Sequence, residues 1–323
     1  MKQQFVKIGG AFFIVVLAMN IILPFHATAT PGTVTISGTV RYQPRNWNPQ
    51  SSNWGLGKEI KIQLYELDLH GHNHLLSTVT TNGVGHFNFP ATTNWWAEDN
   101  NQLNIYLKII TAYPINYTDT SVTDRLGGQY TFASGTTFLS HDGQWTKNFD
   151  LTNSWAGYQA IWIFEDLRNA WNEVHNNDIR NGQSYDPGDV RAVWENGYDC
   201  LAYPLPGYGT ICNSFAYGGP LPFIFIANNN NNSSMDVVIH ETAHMFMINA
   251  NGWWYVSSGC FNHYIDKTTH DASCAWSEGW ADFLPLFVNK DQCYNRTAVN
   301  PCSGQPDIDY FNLELGSTAK NGG

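Results

Sequence analysis

The chain has 323 residues, 43% hydrophobic and 15% aromatic, which excludes wholesale disorder and allows one large domain or two ordinary ones behind a short leader. A formal net charge of −11 leaves no basic footprint for nucleic acid or an anionic membrane surface.

The first predicted element is a leader over residues 1–29. Lys2 and Lys7 give it a positive start, and an apolar run from Ile8 to Phe25 follows, broken by Asn20 and two glycines. Ala27-Thr28-Ala29 then supplies a small-x-small cleavage site. The competing reading is an uncleaved anchor, because about 18 apolar residues just span a bilayer. The cleaved leader is preferred, so the mature chain is expected outside the cell with no stable membrane insertion.

Residues 30–152 read as β structure. Val34 to Val40 carries alternating branched residues, and Ile60-Lys61-Ile62-Gln63-Leu64-Tyr65 alternates as a half-buried strand does. Thr81 to Gly85 is a turn, followed by the strand-like His86-Phe87-Asn88-Phe89. Alternation returns from Leu103 to Thr111. Short strands joined by turns predict an antiparallel β-sandwich. The segments "SGTVRYQ", "IKIQLYELD" and "TTNGVGHFNF" resemble the prealbumin-like sandwich modules that accompany many secreted enzymes.

The pattern changes near residue 153. Ile161, Phe164, Leu167, Trp171 and Val174 recur at helical steps. Asp186-Pro187-Gly188-Asp189 is a turn, and Pro222 to Ala227 reads as a core strand or an edge strand. An edge would offer backbone groups to an extended substrate. All six cysteines, Cys200, Cys212, Cys260, Cys274, Cys293 and Cys302, fall in this half. An even count behind an export leader predicts disulfides, and pairing sequence neighbours is the simplest scheme.

The sharpest signal is Val237-Val238-Ile239-His240-Glu241-Thr242-Ala243-His244-Met245-Phe246. Ser233, Ser234 or Asp236 can cap a helix there, and no Pro or Gly interrupts it before Gly252. Positions i and i+4 lie about 40° apart around a helix, so His240 and His244 project together and can share a metal. Glu241 sits beside them as a general base for a metal-activated water. The plain alternative is a helix with two solvated histidines. Its apolar flanks argue against that, because buried imidazoles need partners. Zinc chemistry of this kind requires a third protein ligand, and Glu278 supplies a candidate. Asp282, one turn on, can accept the far N–H of a ligating imidazole. Trp276, Trp280 and Phe283 around these carboxylates argue for a buried polar role.

"DVVIHETAH" followed by "SEGWADF" resembles the gluzincin metallopeptidases: the first part is similar to the thermolysin-type helix, the second to a fungalysin segment. The resemblance implies Zn2+ as cofactor, with His240, His244 and Glu278 as ligands, Glu241 as base and Asp282 as orienter. It also implies a protein or peptide substrate. Two features depart from those families. The stretch from His244 to Glu278 is long and contains Cys260 and Cys274, as a stapled insertion would. Only residues 279–323 follow Glu278, where relatives carry a helical subdomain with an oxyanion donor; a chain cut short is one reading. Tyr255 is the nearest substitute donor, against an equal case for a packing aromatic, and His263 and His270 are further candidates.

The expectation is therefore an α+β chain of two domains: a signal peptide (1–29), a prealbumin-like β-sandwich (30–152), and a mainly helical zincin-type metallopeptidase domain with a small sheet (153–323). The alternative is a secreted, non-catalytic binding or adhesion protein with a peptidase-like domain. Oligomeric state and cleavage specificity leave no trace in the sequence.

Overall fold

The computed structural model describes residues 33–45, 53–68, 70–93, 102–113, 120–140, 143–176, 185–197, 204–205, 209–210, 213–228, 234–251, 272–290, 293–295 and 310–312. Contacts divide the chain into Met1–Thr30 and Pro31–Gly323, and every described residue belongs to the second unit. The leader of residues 1–29 lies outside the described residues.

Twelve strands come first: β1 (Thr33–Tyr42), β2 (Gly55–Leu56), β3 (Lys61–Leu67), β4 (Asn73–Thr80), β5 (His86–Thr93), β6 (Gln102–Ile110), β7 (Ala112–Tyr113), β8 (Thr120–Thr123), β9 (Thr131–Ala133), β10 (Thr137–Ser140), β11 (Gln144–Thr146) and β12 (Phe149–Leu151). Helix α1 (Ala160–Asn176) follows, then β13 (Val190–Val193), β14 (Pro204–Leu205), β15 (Gly209–Thr210), β16 (Phe215–Tyr217) and β17 (Phe223–Phe225). The chain continues with α2 (Met235–Ala250), α3 (Ala272–Asn289), β18 (Cys293–Asn295) and β19 (Tyr310–Asn312).

The predicted alternation produces the expected long strands. In β3, Ile62 and Leu64 point inward while Lys61, Gln63 and Tyr65 stay half-exposed. A first sheet centres on β1, which pairs with β2, β5, β11 and β12. A second runs β10-β6-β3-β4, with β9 also on β6. Val34, Ile36, Phe87 and Phe89 from the first sheet and Leu64, Ile105, Leu107 and Ile109 from the second enter one apolar core. The expectation of a purely antiparallel sandwich is corrected in the first sheet. There β1 runs antiparallel to β5 but parallel to β11 and β12. Those two strands are three residues each, too short to show direction or partner in the sequence.

A third sheet runs β16-β17-β13-β8-β7. It takes β7 and β8 from before residue 152 and the rest from after it, and β13 lies parallel to both β8 and β17. β17 is interior, bonded to β13 on one side and β16 on the other, so the edge of this sheet near α2 is β16. Among the described residues after residue 152 lie three helices of 17, 16 and 18 residues. Short strands β13 to β19 accompany them in the described residues.

α2 is apolar almost all round. Val237, Val238, Ile239, Ala243, Met245, Phe246 and Ile248 are all buried, as in a helix that crosses the middle of a domain. It packs on α3 and on α1. A buried charged network joins α1 to the segment around β2: Asp166 pairs with Arg45, Arg168 with Glu165 and with Glu59 at 2.9 Å, and Asn172 donates to Glu59 at 2.8 Å.

Candidate metal centre

Ser234 starts α2 with an extended backbone, and its side chain accepts a hydrogen bond from Val237 N. That cap sets the register in which His240 and His244, one turn apart, emerge on the side facing α3. Across the helix pair, Asn289 near the end of α3 donates to Asp236 at 2.7 Å, which fastens the start of α2 to the end of α3.

The two imidazoles meet edge to face, with ring centroids 4.8 Å apart and planes at 84°. Their Nε2 atoms are 3.1 Å apart. Oε2 of Glu278 on α3 lies 3.4 Å from Nε2 of His240 and 3.5 Å from Nε2 of His244. Three donor atoms from two helices thus form a nearly equilateral triangle. The outer nitrogens are also engaged. His240 Nδ1 lies 3.0 Å from Asp282 Oδ1, and His244 Nδ1 lies 3.3 Å from Ser277 Oγ. With Nδ1–H of His240 donating to Asp282, the ring presents its Nε2 lone pair to the triangle.

Two carboxylates approach the pair, and they are not equivalent. Glu241 joins His240 and His244 in a group whose potential ligand atoms lie within 4.8 Å of one another. Glu278 lies at matched distances of 3.4 and 3.5 Å from the two nitrogens and forms the third corner, with Glu241 beside the pair. Glu241 and His244 are buried, and the side chains of Glu278 and Asp282 are 12% and 13% exposed.

Burial works against a charged His240. The hydrogen bonds to Asp282 and Glu278 and the charges of Glu241 and Asp282 outweigh it, and the pKa is pushed up to about 10. Three carboxylates against two imidazoles make a site that favours a positive species, either a proton or a cation.

The fit to a metal rests on the triangle itself. A tetrahedral ion with bonds of about 2.0–2.2 Å to nitrogen and oxygen has ligand–ligand edges of about 3.3–3.6 Å. The observed edges are 3.1, 3.4 and 3.5 Å. Inward-facing lone pairs and a carboxylate at such separations repel one another unless something positive lies between them. His240, His244 and Glu278 therefore fit a divalent cation such as zinc.

The aromatic surroundings differ from expectation. Trp276 is 68% exposed and Phe283 47%, and only Trp280 of the three packs half-buried against the core. Two contacts were missed in the sequence: Ser277 on His244, and the ring of Tyr294, edge-on to His240 with centroids 5.9 Å apart. Ser277 carried only the weak signal of adjoining Glu278, and Tyr294 none. Tyr255, His263 and His270 lie outside the described residues, as do Cys200, Cys212, Cys260 and Cys302. Cys274 is buried on α3 and disulfide-bonded. The side chain of Cys293 is not among those described.

Residues 214–305, which span the site, match the family model of the Mycolysin C-terminal domain. The match points to the fungalysin and mycolysin metallopeptidases. No curated protein matches the chain significantly. Among solved structures, (S)-allantoin synthase gives a TM-score of 0.23 at 9% identity, covering 38% of this chain and 41% of that one. The 9R-lipoxygenase from Cyanothece PCC8801 gives 0.24 at 13%, covering 39% and 17%. The plantain pollen allergen Pla l 1 gives 0.21 at 12%, covering 37% and 93%. The chain thus spans less than half the length of the first two. Among the described residues no helix is long and apolar enough to cross a membrane.

Proposed function

We propose that this protein is a secreted zinc-dependent peptidase. The observation that carries the reading is the triangle of His240 Nε2, His244 Nε2 and Glu278 Oε2, whose edges suit one tetrahedral cation. The match of residues 214–305 supports the same class of enzyme.

In this reading His240, His244 and Glu278 hold the ion. When bound, zinc supplies Lewis acidity to a water and to the substrate carbonyl. Asp282 fixes His240 through Nδ1, and Ser277 does the same for His244, so that both rings keep their Nε2 atoms inward. Glu241, adjacent in sequence to His240 and buried beside both rings, accepts the proton of the attacking water. It then returns that proton to the leaving amine. Tyr255 is proposed as the donor that steadies the oxyanion. The edge strand β16 offers backbone groups to an extended peptide. Export through the leader of residues 1–29, a prealbumin-like module over 30–152, a peptidase domain over 153–323 and disulfides among the remaining cysteines complete the proposal.

The test is elemental analysis of the purified chain together with hydrolysis of casein or a fluorogenic peptide, with and without a chelator. Zinc at the site and activity lost on chelation and restored by zinc support the reading. Bound zinc without hydrolysis moves the protein to a non-catalytic binding role, and absence of zinc after exposure to it removes the metal.

A further inference from the structure

A second group of carboxylate and imidazole side chains sits in the N-terminal half of the chain, in the turn between β3 and β4. The segment Asp68-Leu69-His70-Gly71-His72-Asn73-His74 places a carboxylate and three imidazoles at alternate positions. Gly71, with φ +82°, turns the chain back, so that Glu66 and His74 are cross-strand partners. β4 is the outer strand of its sheet on the β10-β6-β3-β4 path, which leaves the turn open to solvent.

The side chains converge on Asp68. Its Oδ1 accepts the backbone N–H groups of His70 at 2.9 Å and His72 at 2.7 Å, which holds the carboxylate in one orientation. Its Oδ2 lies 3.0 Å from His72 Nδ1 and 3.1 Å from His74 Nε2. The His70 and His72 rings stack with centroids 6.1 Å apart. One anchored oxygen therefore has two imidazole nitrogens within 3.1 Å of it, and a third ring beside them. His72 is 72% exposed and His74 40%, so both rings are open to an ion from solvent.

We propose that Asp68, His72 and His74, with His70 in reserve, bind a borderline divalent transition ion such as zinc at this turn. Imidazoles with one carboxylate suit zinc and copper and not a hard ion such as calcium, which takes six to eight oxygens. The site is independent of the centre on α2 and α3 and stands or falls without it.

The experiment compares the full native chain with H72A/H74A after equilibration with Zn2+ and dialysis, counting zinc by elemental analysis. His72 lies on the exposed turn and His74 at the half-exposed start of β4, and circular dichroism of the variant checks its fold. The variant is expected to bind one equivalent fewer than the native chain and to keep any peptidase activity. The same comparison with Ca2+ is expected to show no difference. Equal zinc content in the two proteins overturns the proposal. So does an equal loss with calcium, which marks a loose acidic patch instead. A D68N variant gives a second reading: it keeps the imidazoles and is expected to bind zinc at the turn about tenfold more weakly, and unchanged affinity removes Asp68 from the site.

Discussion

Nδ1 of His240 on α2 and Oδ1 of Asp282 on α3 lie 3.0 Å apart, so the ring that faces the candidate metal centre is aimed by the neighbouring helix. Carboxylates in this position raise the basicity of a ligating imidazole and fix its tautomer. D282N keeps the shape and loses the charge. It is expected to weaken zinc binding about 10- to 100-fold with the fold intact. Competition with a fluorescent chelator measures it, and an unchanged affinity would remove Asp282 from the centre.

Glu241 and His244 separate chemistry from binding. E241Q replaces the proton acceptor with a neutral isostere beside the histidine pair. It is expected to lower peptide hydrolysis by about 10²- to 10⁴-fold while zinc stoichiometry stays the same. H244A deletes a corner of the triangle and is expected to lose the ion as well as the activity. Steady-state assays paired with metal analysis check both, and full activity in E241Q sinks its role as base.

The parts of this molecule that were legible in the sequence are the local ones. Alternation over seven to ten residues revealed β1, β3 and β6, because Val34, Ile36, Ile62 and Leu64 repeat the period of the pleat within a single strand. β8 was not legible. Its four residues, Thr-Ser-Val-Thr, are all buried, and nothing in them says that their partner is β13, some seventy residues on. The site divides the same way. His240, Glu241 and His244 share one helix face and can be read from their spacing. Glu278 and Asp282 are linked to them by the need of such a site for a third ligand and by their own four-residue spacing, and the family resemblance implies the same roles. Ser277 and Tyr294 meet the histidines through helix packing alone. Charges on α1 followed the opposite course: Glu165, Asp166 and Arg168 would suit a solvated face, yet Arg45 and Glu59 arrive from the preceding half and bury them.

Gly279 follows Glu278 within α3, and a Cβ built there meets nothing within 4 Å. Its φ is not in the left-handed region. Glycine inside a helix costs about 0.5–1 kcal/mol relative to alanine, chiefly through backbone freedom in the unfolded chain. G279A is therefore expected to stabilise the protein by about that amount and to raise its melting temperature by about 1–4 °C. Calorimetry tests this, with zinc content as the control for the neighbouring carboxylate. A lower melting temperature would mean that α3 needs a flexible residue beside Glu278.

Glu165 on α1 makes the last prediction, because burial pushes its pKa up to about 7 despite the opposing charge and hydrogen bond of Arg168. The nearby charge of Asp166 adds to the rise. The sign follows from proton binding. Between about pH 4.5 and pH 7 the unfolded chain releases this proton while the folded chain retains it, so stability falls as pH rises through that window. A rise of this size is worth on the order of 3 kcal/mol in total. E165Q cannot titrate there, while Asp166, whose pKa is also raised by burial, remains in both proteins. Urea unfolding at pH 5 and pH 7.5 is expected to show the native chain losing more stability over the interval than E165Q loses. Equal losses in the two proteins would mean that Glu165 is ionised in the folded state throughout, with Arg168 compensating its charge in full.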